Sequence, residues 1–342
     1  MKLIKLVIDR LYKIKMLGKI KPVLDAMDAA LFGTNETTVD SPHFVDNLDI
    51  KRYMSCVIIA LMPAVFASIY FYGLKAVGIV LVSYAAGGFV EIVFAITRKK
   101  VIHEGFFVTG LIFPLVLPPT IPLWIVAVGV MFGTFFGKEV FGGTGKNIFN
   151  PSLVGRLFIT IAFPAIMSAY WQMPFSDVIT SATPLTLYKT SQILTPYADL
   201  LFGRTAGGMG EIFRLGIILG GIFLMITKVS NWRIPVSYLG SVFLFGWMGN
   251  VFFPLRVAPP LFQLLSGGLL LGSMFMATDP VTSPFTREGK YVFGLGCGVL
   301  TVLIRSFSGY VEGVMFSIIL MNALSPLIDQ IVLKYKYKPA KK

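Results

Sequence analysis

The sequence predicts an all-α polytopic membrane protein of ten transmembrane segments, arranged as two inverted five-helix repeats with half-helices. Three observations carry that expectation. Of the 342 residues, 55% are apolar and only 14% charged, with a mean hydropathy of +0.77. Ordinary soluble domains carry about 25% charged residues, so the missing charge points to lipid as the solvent. Apolar runs near the roughly 20 residues that span a bilayer follow one another with short polar breaks between them. Two of these runs are too short to cross and stop at proline, and they occupy the third place in each set of five. The same composition excludes a soluble globular domain, a disordered chain and a coiled coil.

Residues 1–53 mix both signs of charge, and Met1 to Ile20 space Leu, Ile and Val among lysines as an amphipathic helix lying in the membrane interface does. The charge pattern does not fit a cleavable signal. Ten apolar segments follow: Met54–Tyr72, Val77–Thr97, Gly105–Leu117, Pro122–Phe136, Pro151–Ala169, Leu215–Thr227, Pro235–Phe252, Leu261–Ala277, Tyr291–Ile304 and Gly313–Val332. Gly105–Leu117 ends at Pro118-Pro119 and Leu261–Ala277 at Asp279-Pro280, and both read as half-helices. An odd number of spans per half inverts the second half, as such a repeat requires. Residues 54–333 thus form one transmembrane domain with a long polar loop, 170–214, and residues 334–342 form a basic tail.

With the N-terminus inside, 24 of the 30 Lys and Arg residues fall in inner segments and six on the outer side. That bias places both ends in the cytoplasm and the 170–214 loop outside. The net charge of +13 gathers at segment ends, which fits membrane orientation rather than nucleic acid. Cys56 and Cys297 lie inside apolar runs and read as inert thiols. With only His43 and His103, a zinc site or bis-histidine haem has almost no ligands to draw on.

Four groups of residues can carry chemistry. Gly142-Gly-Thr-Gly-Lys146-Asn147 resembles a phosphate loop, but Val140 stands where its first Gly belongs and Asn147 where it needs Ser or Thr. What remains is a glycine turn followed by Asn147, Asn150 and Pro151, either a plain connection or a ligand site. The cluster Asp177, Thr180, Ser181, Ala182, Thr183 before Pro184 is either a turn or a small-residue loop presenting a hydroxyl to a modifying enzyme. Glu91 and Asp329 sit inside apolar segments, with Glu139, Asp279 and Glu312 near segment ends. A carboxylate at membrane depth is costly unless it pairs or serves a cation, so the first two are functional candidates. Gly87-Gly88, one turn before Glu91, permits close helix packing or a flat ligand; Phe106-Phe107 reads as filling.

These residues resemble a known family, NqrB/RnfD: membrane subunits of the sodium-translocating NADH:quinone reductase (Nqr) and of the related Rnf electron-transport complex. The resemblance runs over nearly the whole chain. It rests on Gly87-Gly-Phe-Val-Glu91, Glu104-Gly-Phe-Phe-Val-Thr-Gly110, Pro118-Pro-Thr-Ile-Pro-Leu-Trp124, the stretch from Lys138 to Pro151, Met276-Ala-Thr-Asp-Pro280 and Pro326-Leu-Ile-Asp329. Features of both branches are present. Glu104–Trp124 and Lys138–Pro151 look like Nqr; Ala182-Thr-Pro-Leu185 with Lys189, and Arg305-Ser-Phe-Ser-Gly-Tyr310, look more like Rnf.

The resemblance implies a urea-transporter-like fold and a flavin mononucleotide (FMN) carried through a phosphoester on Thr183, the last residue of a motif matched by Asp177, Thr180, Ser181 and Ala182. Ser181 replaces the usual glycine. It further implies riboflavin near Asn147 and Asn150, a quinone pocket at Gly87, Gly88, Glu91, Phe106 and Phe107, and cation-linked roles for Glu91 and Asp329. The implied setting is a bacterial inner membrane, with other membrane and peripheral subunits of the complex and a flavin transferase as partners, and no nucleic acid. The charge bias independently puts Thr183 on the outer side, where such a transferase acts. The rival reading is a channel or carrier of the same fold without redox chemistry.

Overall fold

The structure, a computed structural model, describes residues 50–99, 105–175 and 181–337. The amphipathic segment read at 1–20 and the end of the basic tail lie outside the described residues, as do Asp177 and Thr180. The described chain is helical throughout, without a strand. Its elements are α1 (Ile50–Tyr72), α2 (Leu74–Arg98), α3 (Gly105–Leu115), α4 (Leu123–Gly137), α5 (Pro151–Ala162), α6 (Pro164–Ala169), α7 (Pro184–Ser191) and α8 (Tyr197–Phe202). Then come α9 (Arg214–Ile226), α10 (Arg233–Phe252), α11 (Pro260–Leu265), α12 (Leu269–Leu271), α13 (Arg287–Phe307) and α14 (Val314–Lys336). Six helices, those beginning at α1, α2, α4, α10, α13 and α14, are long and apolar enough to cross a membrane, and α3, α5 and α9 are shorter apolar helices.

Small residues set the packing. On α4, a Cβ at Gly129 would meet the Phe113 ring at 3.0 Å, and a Cβ at Gly155 of α5 would meet the Gly129 carbonyl at 2.6 Å. The two helices therefore touch backbone to backbone, the usual way to gain dispersion contacts where lipid removes the hydrophobic drive. Gly294 and Gly298 of α13 do the same against Ile234 and Tyr238 of α10, each with a carbonyl 2.8 Å from where a Cβ would sit. In the first five apolar elements, α2 packs on α3 and α4, and α4 on α5; in the last five, α10 packs on α11 and α13, and α13 on α14. α1 meets α9 and α5 meets α14 across the middle.

Two sequence expectations need correction, and a third stretch is packed more closely than its composition suggests. Pro151–Ala169 is two helices, because Phe163 leaves the helical region (φ −131°, ψ 56°) and Pro164 starts a new one at its first position. Leu261–Ala277 is α11, a break at Ser266–Gly268, then α12 running into a π-turn at Gly272–Met276. Gly267 sits at φ +61°, where a side chain is strained. The end of the 170–214 loop is not a solvated excursion. Thr205, Ala206, Met209, Glu211 and Ile212 are buried, the Met209 amide donates to the Leu117 carbonyl (3.1 Å), and the Ser68 hydroxyl donates to the Met209 carbonyl (2.8 Å). This segment satisfies the carbonyl that the Pro118-Pro119 stop leaves at the end of α3.

Candidate functional site

Thr183 is the N-cap of α7. Its Oγ1 accepts from the Thr186 amide (3.3 Å) and lies 2.9 Å from the Thr186 hydroxyl, and Pro184 takes the first helical position. The Ser181 amide donates to the Trp171 carbonyl (2.9 Å), and Ala182 is exposed beside it. Thr183 lines a cavity of about 530 Å³ whose apolar wall includes Met167, Trp171, Leu185 and Met315.

The floor of this cavity is charged and buried. Arg156 of α5 reaches Glu312 (Nη2 to Oε2, 2.9 Å) and Glu211 (Nη1 to Oε1, 3.7 Å). Arg305 of α13 contacts the other Glu312 oxygen at 3.4 Å and donates to the carbonyls of Gln263 (2.7 Å) and Ser266 (2.9 Å). The Gly268 amide donates to Glu312 Oε1 (2.6 Å), so one carboxylate ties the break between α11 and α12 to arginines from both halves of the chain. Arg214 donates to the Leu200 carbonyl. Among the described residues, Arg156 Nε, Arg214 Nε and Glu211 Oε1 are buried without a hydrogen-bond partner. Orphaned polar atoms of that kind, two donors and one acceptor, call for partners. Arg156, Glu211, Arg214 and Glu312 all line the cavity.

Of these residues only Glu312, as a carboxylate near a segment end, and Arg305, within the Rnf-like stretch Arg305–Tyr310, stand out in the sequence. By position alone Arg156 counts with the inner loops, and Arg214 and Arg305 with the outer side. Their burial shows that none is a loop charge. Removing them and the buried Lys138 leaves 22 inner against 4 outer, so the orientation bias rises.

Asn147 and Asn150 line a second, smaller cavity of about 80 Å³ with Tyr53, Thr109, Lys138 and Asp279. Asn150 caps α5, accepting from the Ser152 amide (3.1 Å), and Asn147 donates to the Phe149 carbonyl (3.1 Å). The volume is well below the roughly 300 Å³ of small-molecule pockets, so a tricyclic ring enters only if the lining moves.

Gly87, Gly88, Phe106 and Phe107 do come together. A Cβ at Gly88 would lie 3.1 Å from Phe106 Cζ, and one at Gly87 3.3 Å from Phe106 Cε2; the Phe106 ring occupies the space over both glycines. Tyr84 stands edge-on to Phe106 at 5.7 Å and its hydroxyl donates to the Phe107 carbonyl (2.8 Å). Glu91, one turn along α2, forms a buried ion pair with Lys138, which also lines the Asn147 cavity. Asp329 lies elsewhere, on α14. It accepts from the amides of Phe285 (2.9 Å) and Thr286 (3.0 Å) and from the Thr286 hydroxyl, and that hydroxyl accepts from the Gly289 amide (3.2 Å) at the start of α13. Glu91 and Asp329 share no partner.

The helices, their small-residue contacts and the two cavities that place charged side chains among apolar walls define a polytopic all-helical membrane protein, with both cavities against one helix, α5. The profile of the NQR2, RnfD, RnfE family matches residues 37–338, and the chain belongs to that family. Its relatives include proteins named as subunits of the "Na(+)-translocating NADH-quinone reductase". The one from Yersinia pestis is 33% identical over 391 aligned positions, covering 95% of this chain and 94% of the relative. That of Pseudomonas aeruginosa strain LESB58 is 35% identical (93% and 92%), and that of Azotobacter vinelandii 36% identical (92% of each).

Proposed function

We propose that this chain is the FMN-carrying membrane subunit of a sodium-translocating NADH:quinone reductase or a closely related ion-translocating complex. In this reading it relays electrons through a flavin esterified to Thr183 and helps couple that flow to cation movement. The observation that carries the proposal is the placement of Thr183 Oγ1 at the N-cap of α7, on the wall of a 530 Å³ cavity floored by orphaned arginine donors. A phosphoester there would lie at the N-terminus of α7, where backbone dipoles favour an anion, although Pro184 brings no N–H and the Thr186 amide already serves Thr183 Oγ1. Apolar walls at Met167, Trp171 and Met315 suit a flat ring, and Arg156 and Arg214 suit its polar edge. Bound at this position, the flavin supplies electron transfer one or two electrons at a time. The chain's part is to hold the phosphate, orient the ring and keep water from it.

The ten-segment inverted repeat belongs to the same proposal and is supported by the matching contacts of second, third and fourth elements in each set of five. So do the inner-membrane location with both termini cytoplasmic, the flavin transferase that modifies Thr183, and the companion subunits. Asp177 and Thr180 complete the recognition motif for that enzyme. Glu91, with Lys138, and Asp329 are assigned to the cation path. Riboflavin at Asn147 and Asn150, and quinone at Gly87, Gly88, Glu91, Phe106 and Phe107, require the small cavity to open and the Phe106 ring to swing away.

Mass spectrometry of the peptide containing Thr183, from protein coexpressed with its transferase, tests the proposal. The expected result is a mass added by FMN, in-gel flavin fluorescence, and loss of both in Thr183→Val. An unmodified peptide from fully assembled complex would leave a carrier without redox chemistry as the better description.

A further inference from the structure

A third cavity, of about 380 Å³, opens where α10 and α13 end, and the proposed function does not use it. Lys189, Arg256 and Arg305 line it and no carboxylate does. Lys189 spends its three protons on the carbonyls of Arg305 (3.2 Å), Ser308 (2.6 Å) and Tyr310 (2.8 Å), capping the end of α13 while adding its charge to the rim. The Arg256 guanidinium is exposed and has neither ion pair nor hydrogen bond among the described residues. Arg305 Nε is a buried donor without a partner, while Tyr188, Gln192 and Gln263, also in the lining, each donate to backbone carbonyls. Positive charge is therefore concentrated at this mouth, and the Arg305–Glu312 pair offsets only part of it, from behind.

The surroundings say what kind of anion fits. Leu255 and Phe307 line the cavity and are 76% and 48% exposed, and Phe253, 53% exposed, stacks edge-on against Phe307 at 5.8 Å. Helix ends carrying exposed aromatic and aliphatic side chains beside unpaired arginine mark the headgroup level of a bilayer. A free small anion has no use for the apolar rim; an anionic phospholipid uses both parts, its phosphate on the cations and its acyl chains along Phe253, Leu255 and Phe307.

We infer that this cavity binds the phosphate of an anionic phospholipid, with Arg256 as its exposed contact and Arg305 Nε as its buried one. The test uses the assembled complex in detergent with a photoactivatable phosphatidylglycerol, crosslinks being mapped by peptide mass spectrometry. Crosslinks are expected in the peptides carrying residues 253–259 and 305–311. They should exceed those of a phosphatidylcholine probe and fall about fivefold in Arg256→Gln, the effect of one cation near an anionic headgroup. Arg256→Lys, which keeps the charge, should retain most of the signal. Equal labelling by the two lipids, or unchanged labelling in Arg256→Gln, overturns the inference. So does full competition by millimolar inorganic phosphate, which would assign the site to free phosphate. Protection of the same peptides by a neighbouring protein of the complex, with no lipid crosslink, would replace the lipid by an acidic protein surface and also overturn it.

Discussion

Arg156→Met is the most informative perturbation of the charged floor beneath Thr183. Arg156 is 5% exposed and bridges two carboxylates, at 2.9 Å from Glu312 and 3.7 Å from Glu211. Methionine keeps the volume and removes the charge. Glu312 then retains Arg305 and the Gly268 amide, but Glu211 is left with the Gly208 amide at 3.4 Å as its hydrogen bond. Removing one partner of a buried pair costs about 3–5 kcal/mol, most of it the desolvation of the charge left behind. At roughly 2 °C per kcal/mol for a chain of this size, the melting midpoint should fall by about 6–10 °C. If the penalty lies in the stranded carboxylate, neutralising it recovers part of the loss. Arg156→Met with Glu211→Gln should therefore melt about 4 °C above the sum of the two single effects, a coupling near 2 kcal/mol. Arg156→Lys should fall between, since a point charge cannot serve both carboxylates as a planar fork does. The assay is the fraction of monodisperse complex surviving a heating series on size exclusion. A single variant within 2 °C of the parent, or strictly additive effects in the double variant, refutes the reasoning.

Four further outcomes follow from the same structure. Thr183→Ser keeps both the cap and an esterifiable oxygen and should retain flavin, whereas Thr183→Val should lose the flavin and about 1 kcal/mol of α7 capping, measured by mass spectrometry and by proteolysis of the loop. Lys138→Met should impair assembly by stranding Glu91 in its buried pair, and Lys138→Met with Glu91→Gln should restore assembly, leaving the sodium dependence of turnover to report whether Glu91 serves the cation. Asp329→Asn loses at least one of three accepted hydrogen bonds at the start of α13, costing about 1–3 kcal/mol by thermal midpoint; an unchanged sodium dependence in this variant would confine Asp329 to that anchoring role. Protein reconstituted in liposomes without an electron donor should leak no more sodium than empty vesicles, by sodium-sensitive dye, because a packed layer separates its two interior cavities.

Some of this is legible in the chain and some is not, for physical reasons. The end of α3 can be read because Pro118-Pro119 removes backbone donors locally, and the Thr183 cap because Pro184 follows it. The break inside Leu261–Ala277 is marked in the sequence only by Ser266-Gly267-Gly268, which a reading of the stretch as one apolar run passes over. It is opened by groups far away in sequence: Glu312 on the Gly268 amide and Arg305 on the Gln263 and Ser266 carbonyls. Arg156 fails to stand out for the same reason. Lying between polar turns and an apolar run, it looks like one more inner-loop charge, and only folding brings it within reach of residues 55 and 156 positions later. The burial of 205–212 is hidden because a polar, glycine-rich stretch reads as a loop, although its Met209 amide serves a carbonyl at the stop of α3.

The two interior cavities meet α5 about one turn apart and share no lining residue: Asn150, Pro151 and Ser152 face one, Arg156 and Thr160 the other. Between them lie fully packed side chains, Leu153 at 1% exposure with Ile112 and Leu271 in the same core cluster. A turn of helix is about 5.4 Å, a short distance for an electron and an impassable one for a hydrated cation through hydrocarbon. Charge at the Thr183 cavity is, however, felt through a layer of packed apolar side chains, where Coulomb interactions are screened less than in water. Under the proposed function, an electron on a flavin at Thr183 would therefore change the energy of a cation near the Glu91–Lys138 pair without any open path joining them. That is the physical requirement for coupling electron flow to ion movement, and a passive pore, which needs a continuous wet route, does not meet it.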